Sequence, residues 1–104
     1  MNIAEEIGVP ALLGQTAEEC AELAHACLKL QRIMMGTNPT PVKRDAAEKA
    51  LLEESMDLET CLVCLESEAS IKTTDYQLGF KKRQRWEERI NDLKGGEEKE
   101  LSSI

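Results

Sequence analysis

Aromatic side chains are nearly missing from this 104-residue chain, which has one Phe, one Tyr and one Trp. Its core must therefore be built from aliphatic residues, alanine and cysteine. A chain this long buries on the order of two-thirds of its unfolded surface. No run approaches the roughly eighteen consecutive apolar residues that cross a bilayer. Cations are outnumbered, thirteen Lys plus Arg against twenty Asp plus Glu. The resulting net charge of -7 argues against a general duplex-binding protein, which needs excess cations to neutralise phosphates. Strand signals are also scarce: β-branched runs are few, and no Asn-Gly or Asp-Gly turn occurs. Met1-Asn2-Ile3-Ala4-Glu5-Glu6 has neither the basic nor the apolar region of a signal peptide. The four cysteines are accordingly expected as reduced thiols in a cytoplasmic protein. A hydrophobic content of 41%, arranged in clear periods, argues against disorder.

Ala, Leu, Glu and Lys dominate, and all favour helix. The pattern predicts an all-α chain of about three main helices. The first runs from about Pro10 to Met35, with Pro10 in its first turn and Gly36 as a left-handed stop. The breaker Gly36-Thr37-Asn38-Pro39-Thr40-Pro41 follows. A second helix is expected from Thr40 as N-cap and Pro41 as first residue to about Ser67. A third runs from about Asp75 to Leu93, ended by Gly95-Gly96. Residues 1–96 then form one helical domain, and 97–104 a flexible charged tail. Rods of about 38 Å with so few aromatics make a thin bundle, whose remaining apolar surface is expected to be covered in a homodimer or homotetramer.

Two patterns carry chemistry, Glu18-Glu19-Cys20-Ala21-Glu22-Leu23 and Glu53-Glu54-Ser55-Met56-Asp57-Leu58. Glu19 and Glu22, like Glu54 and Asp57, stand one helical turn apart, so each pair can face one object. Four carboxylates on facing helices suit Mg²⁺ or Mn²⁺ beside a phosphate substrate. On the second helix Ala47, Ala50, Leu51, Leu58, Cys61 and Leu65 lie within about 60° of Glu54, and Asp57 lies about 60° to its other side. Both acids thus fall inside the apolar stripe, where a carboxylate is costly unless paired or metal-bound. The first helix is ambiguous. Its best apolar stripe is Leu13, Ala17, Cys20, Ala24, Cys27 and Leu28, and Glu22 points away from it, although Ala26 and Ile33 share the Glu22 face.

The third helix concentrates five of the thirteen cations within Lys81–Arg89. Lys82, Arg85 and Arg89 fall on one face, which suits an exposed amphipathic helix or an anion clamp. Cys61 and Cys64 lie mid-helix rather than on a zinc-knuckle turn, and Cys20 and Cys27 lie among alanines. All four read as core packing first and zinc ligands last. His25 reads as a surface or phosphate-neighbouring residue.

The two acid patterns resemble the signature of the MazG-like all-α nucleoside triphosphate pyrophosphohydrolases, in particular the short bacterial and phage type. Gln15, Lys29, the Asn38-Pro39-x-Pro41 connection and Lys82-x-x-Arg85-x-x-x-Arg89-Ile90 extend the likeness over about residues 12 to 92. Thirty-one residues separate Glu22 from Glu54, more than in compact relatives, and Ser55-Met56 replaces the usual small and aliphatic pair. The resemblance implies hydrolysis of a nucleoside triphosphate, foremost a deoxynucleotide, to monophosphate and pyrophosphate. It implies Mg²⁺, with Mn²⁺ as substitute, on Glu19, Glu22, Glu54 and Asp57. Glu18 or Glu53 would orient or deprotonate the attacking water. Lys29, Lys82 and Arg85 would bind phosphate, and Gln15 the base or sugar. The competing expectation is a non-catalytic helical interaction module with structural acids.

Overall fold

The computed structural model describes residues 1–36 and 39–102. Its elements are α1 (Ile3–Ile7), α2 (Val9–Met35), α3 (Arg44–Ala69) and α4 (Tyr76–Ser102). The described residues contain no strand, and none of their helices is long and apolar enough to cross a membrane. The chain divides into two compact units, Met1–Thr73 and Thr74–Ile104.

The first unit is an α2–α3 hairpin with α1 packed against one end. The short α1 is an element that the sequence reading missed. Asn2 caps it by accepting from the Glu5 N–H at 2.9 Å, and Glu5 and Glu6 favour its positive end. Gly8, at φ 88°, then closes α1 and opens α2, a backbone turn that a side chain would strain. Pro10 lies in the first turn of α2 as expected, and Gly36 ends it at φ 66°, its N–H bonded to the Arg32 carbonyl at 3.0 Å.

The expected start of the next helix is corrected. Lys43 is the N-cap and α3 begins at Arg44, so Thr40 and Pro41 lie in the connection. The signals at the true start are local: Asp45 sits in the first turn, and Arg44 pairs with Glu48 at 3.0 Å, i to i+4. Thr37 and Asn38 of the breaker lie outside the described residues.

The α2–α3 contact follows a heptad seam. On α2 the buried or half-buried positions from Leu12 onward are Leu12, Thr16, Glu19, Leu23, Ala26, Leu30 and Ile33, alternating four and three residues apart. On α3, Ala47, Leu51, Glu54, Leu58, Cys61, Leu65 and Glu68 repeat that rhythm. A 3.5-residue repeat keeps two long helices in contact along their length. The expected stripe Leu13, Ala17, Cys20, Ala24, Cys27 and Leu28 is displaced from this seam by one residue and is exposed. The larger side chains decide the matter, because Leu12, Leu23, Leu30 and Ile33 bury more apolar area than the alanines and cysteines beside them.

The core is small. Ala4, Leu12, Cys64 and Leu65 form a buried cluster where α1 meets the hairpin, with Leu62 and Ala69 against it. Glu68 ties α1 in place by accepting from the Ile3 N–H at 2.6 Å. Cys61 and Cys64 are buried as expected, whereas Cys20 and Cys27 are exposed and belong to no core of this chain. Past α3, Ser70 adopts the left-handed conformation at φ 57° and the Ile71 N–H reaches the Leu65 carbonyl at 2.9 Å.

In the second unit, Asp75 caps α4 by accepting from the Leu78 N–H at 3.0 Å. Gly95 and Gly96 do not end this helix, which continues to Ser102 and so takes in most of the expected tail. Neither glycine adopts a positive φ, so the left-handed exit that stops α2 at Gly36 is not made here. Residues 103–104 of that tail lie outside the described residues.

Candidate metal and phosphate site

The polar members of the seam separate into two kinds. Thr16 donates to the Leu12 carbonyl at 2.8 Å, and Ser55, beside the seam on α3, donates to the Leu51 carbonyl at 2.7 Å. Glu68 accepts from α1. These groups are satisfied within the fold. Glu19 and Glu54 are not: each keeps one buried carboxylate oxygen, Oε2, with no hydrogen-bond partner. Buried oxygens without a donor are costly and therefore rare.

Glu22, one turn after Glu19, completes the group. One oxygen from each of Glu19, Glu22 and Glu54 lies within 4.8 Å of the others. Adjacent oxygens on an octahedral Mg²⁺ stand about 3.0 Å apart and opposite ones about 4.2 Å, given Mg–O distances of about 2.1 Å. Small side-chain movements thus convert this spacing into a coordination shell. The donors are all hard carboxylate oxygens, which suits Mg²⁺ or Mn²⁺ rather than zinc. Gln15 orients the set, donating from Nε2 to Glu19 Oε1 at 2.8 Å.

The electrostatics agree with the crowding. A hydrogen bond shared with Glu22 raises the Glu54 carboxyl above its ordinary value, helped by desolvation and by the charges of Glu22, Asp57 and Glu19. Crowded carboxylates that raise the Glu54 carboxyl in this way form a site whose charge a cation would relieve.

Beside the acids a cleft of about 220 Å³ is lined by Glu22, His25, Ala26, Lys29, Ala47, Ala50 and Glu54. Its floor exists because three alanines stand where larger residues would fill the gap between the helices. Glu22 of α2 and Glu54 of α3 supply its acids, and His25 and Lys29 follow Glu22 along α2. The volume suits an ion and phosphate groups and is below the roughly 300 Å³ of the smallest typical ligand pockets.

The structure thus brings together Glu19, Glu22, Glu54, Gln15 and Lys29 from the residues named by sequence. Asp57 is exposed and lies outside the converging group, although its charge reaches Glu54. The expectation that it lies inside the apolar stripe is corrected: about 70° from the seam centre, its side chain turns to solvent. Glu18 and Glu53 are likewise exposed and outside the group. Lys82 and Arg85 lie exposed on α4, in the second unit. Sequence reasoning gave no role to Ala26, Ala47 and Ala50, whose small size opens the cleft. The available signal was that Ala26 shares the α2 seam with Glu19 and Ala47 the α3 seam with Glu54, with Ala50 beside it. No protein family, curated protein or solved structure matches this chain.

Proposed function

We propose that this protein is a Mg²⁺-dependent nucleoside triphosphate pyrophosphohydrolase, releasing pyrophosphate and the monophosphate, with a deoxynucleotide as the foremost substrate. The observation that carries the metal half is the convergence of Glu19, Glu22 and Glu54 with two buried oxygens lacking any donor. The substrate half rests on the resemblance of the two acid patterns to the MazG-like enzymes.

In this reading Glu19, Glu22 and Glu54 hold the metal, and Asp57 approaches from the next turn of α3. Bound Mg²⁺ supplies charge neutralisation at the phosphates and a lower pKa for bound water. Lys29 and His25 offer donors to phosphate oxygens in the cleft. Glu53 and Glu18, exposed beside the ligands, are the candidates to accept the proton of the attacking water. Gln15, assigned to base or sugar by resemblance, has the nearer role of holding Glu19. The cleft is too small for a whole nucleotide, so the base and sugar bind outside it.

Calorimetric titration with Mn²⁺ tests the metal half. The wild type is expected to bind, and Glu54→Gln to bind at least about tenfold more weakly, as losses around metal sites usually do. Equal binding by the variant, or none by the folded wild type, contradicts the assignment.

The competing reading, a non-catalytic interaction module, draws on the second unit. Tyr76, Phe80, Trp86 and Leu93 of α4 are all exposed, as surfaces that dock partners are. A module of that kind predicts no Mn²⁺ binding and no turnover.

A further inference from the structure

α4 is the one helix described in the second unit, so its apolar residues have no packing partner inside that unit. At about 100° per residue, Tyr76, Phe80, Trp86, Ile90 and Leu93 fall on one arc of about 140°. All five are exposed, Phe80 at 71% and Trp86 at 64%. This arc gathers every aromatic side chain of the protein. Exposed aromatics grouped on one face mark a contact surface, and the charges around them say for what.

Lys82 and Arg89 stand about 20° and 40° beyond the Leu93 edge of the arc, and Arg83 and Lys94 lie within it. Glu87 also lies within the arc, but it is bound to Arg83 at 2.9 Å. Glu88 and Asp92 fall on the opposite face, about 150–170° from the arc's centre. Between Tyr76 and Lys94 the apolar face is therefore rimmed by cations, and these two acids point the other way. Gly95-Gly96-Glu97-Glu98 then ends the basic stretch in the sequence. A basic amphipathic helix with aromatics on its apolar face suits an anionic surface.

We infer that α4 lies on an anionic bilayer surface, with Tyr76, Phe80, Trp86, Ile90 and Leu93 inward and Lys82 and Arg89 at the headgroup phosphates. The inference rests on α4 alone and is independent of the metal reading. The Arg83–Glu87 pair decides between a bilayer and a protein partner. A helix docked on this arc buries the pair in the middle of a dry seam, where desolvation offsets its attraction. At a bilayer, apolar side chains reach about 5–10 Å below the headgroups while long charged ones extend back to water. Tyr and Trp suit that depth, each joining an apolar ring to a polar tip.

The test mixes the full chain with vesicles of phosphatidylcholine containing about one-third phosphatidylserine. Trp86, the protein's single tryptophan, reports from the proposed face itself. Its emission is expected to shift to the blue and to become shielded from acrylamide. Vesicles of phosphatidylcholine alone should bind at least about tenfold more weakly, since each cation near an anionic surface adds attraction. Salt at about 1 M, where the Debye length is about 3 Å, should weaken wild-type binding to the anionic vesicles by a similar factor. Lys82→Glu combined with Arg89→Glu should do the same, and Phe80→Ser should cost about tenfold through lost apolar burial. Circular dichroism checks that each variant keeps its helix content. No shift with the anionic vesicles, equal binding to both vesicle types, unchanged binding by Phe80→Ser, or the same shift from soluble dATP without vesicles overturns the inference. A shift given only by a synthetic amphipathic helix of Leu and Glu assigns the face to a protein and overturns it too.

Discussion

Glu54 is a carboxylate set in the apolar seam between α2 and α3. It occupies a seam position where leucine would pack, and its carboxyl is raised by hydrogen bonding with Glu22, by desolvation and by the charges of Glu22, Asp57 and Glu19. Because its carboxyl is raised above the ordinary 4.5, the folded chain holds its proton more tightly than the unfolded chain does. The associated stability is full below that ordinary value and is lost as pH rises through the elevated one. Without metal, the melting temperature should therefore fall from mildly acidic to neutral pH. Glu54→Gln should flatten this dependence and melt higher than wild type at neutral pH, and Mg²⁺ should recover the loss in the wild type only. Thermal melts across pH check this, and a variant that keeps the wild-type slope would contradict the role given to Glu54. Residue reading from sequence succeeded here because an acid inside an apolar stripe is visible in the pattern. It failed at Asp57, which stands about 60° from Glu54 on the outer side of the stripe and is exposed.

At the scale of elements, α2 shows how far periodicity carries. Two apolar stripes lie one residue apart on it, and a count of apolar positions favours the one that the structure leaves open. The deciding quantity is area: the buried seam holds three leucines and an isoleucine, and the open stripe is centred on alanine and cysteine. Helix ends were legible where one residue has one conformational meaning, as at Gly36. They were not legible at Thr40-Pro41, where a cap-and-proline pattern precedes a helix that starts only at Arg44. Gly95-Gly96 likewise can stop a helix but need not. The α1–hairpin junction yields a stability prediction. Leu65 is 3% exposed within the main buried cluster, so Leu65→Ala should cost about 2–5 kcal/mol. Urea unfolding measures this, and a loss under about 1 kcal/mol would mean that the cluster does not anchor the hairpin.

For the whole molecule, the opening scarcity of aromatics has a structural counterpart. Trp86, Tyr76 and Phe80 all lie on α4, and the first unit is packed without any aromatic side chain. Its buried set is alanine, leucine and cysteine, which leaves a thin hairpin with apolar surface on its open faces. The all-α class was legible from composition and period. Of the two i, i+3 acid pairs, Glu19 and Glu22 converge with Glu54, and Asp57 lies outside the group. Which α2 stripe the hairpin buries was not legible, since the apolar count and the buried area favour different stripes. The substrate is the claim furthest from geometry, and turnover tests it most directly. Incubated with a panel of ribo- and deoxynucleoside triphosphates, the folded wild type should release pyrophosphate and monophosphate in equal amounts from at least one of them, and only with Mg²⁺ or Mn²⁺ present. No metal-dependent turnover of any nucleotide, or release of orthophosphate in place of pyrophosphate, would contradict the account.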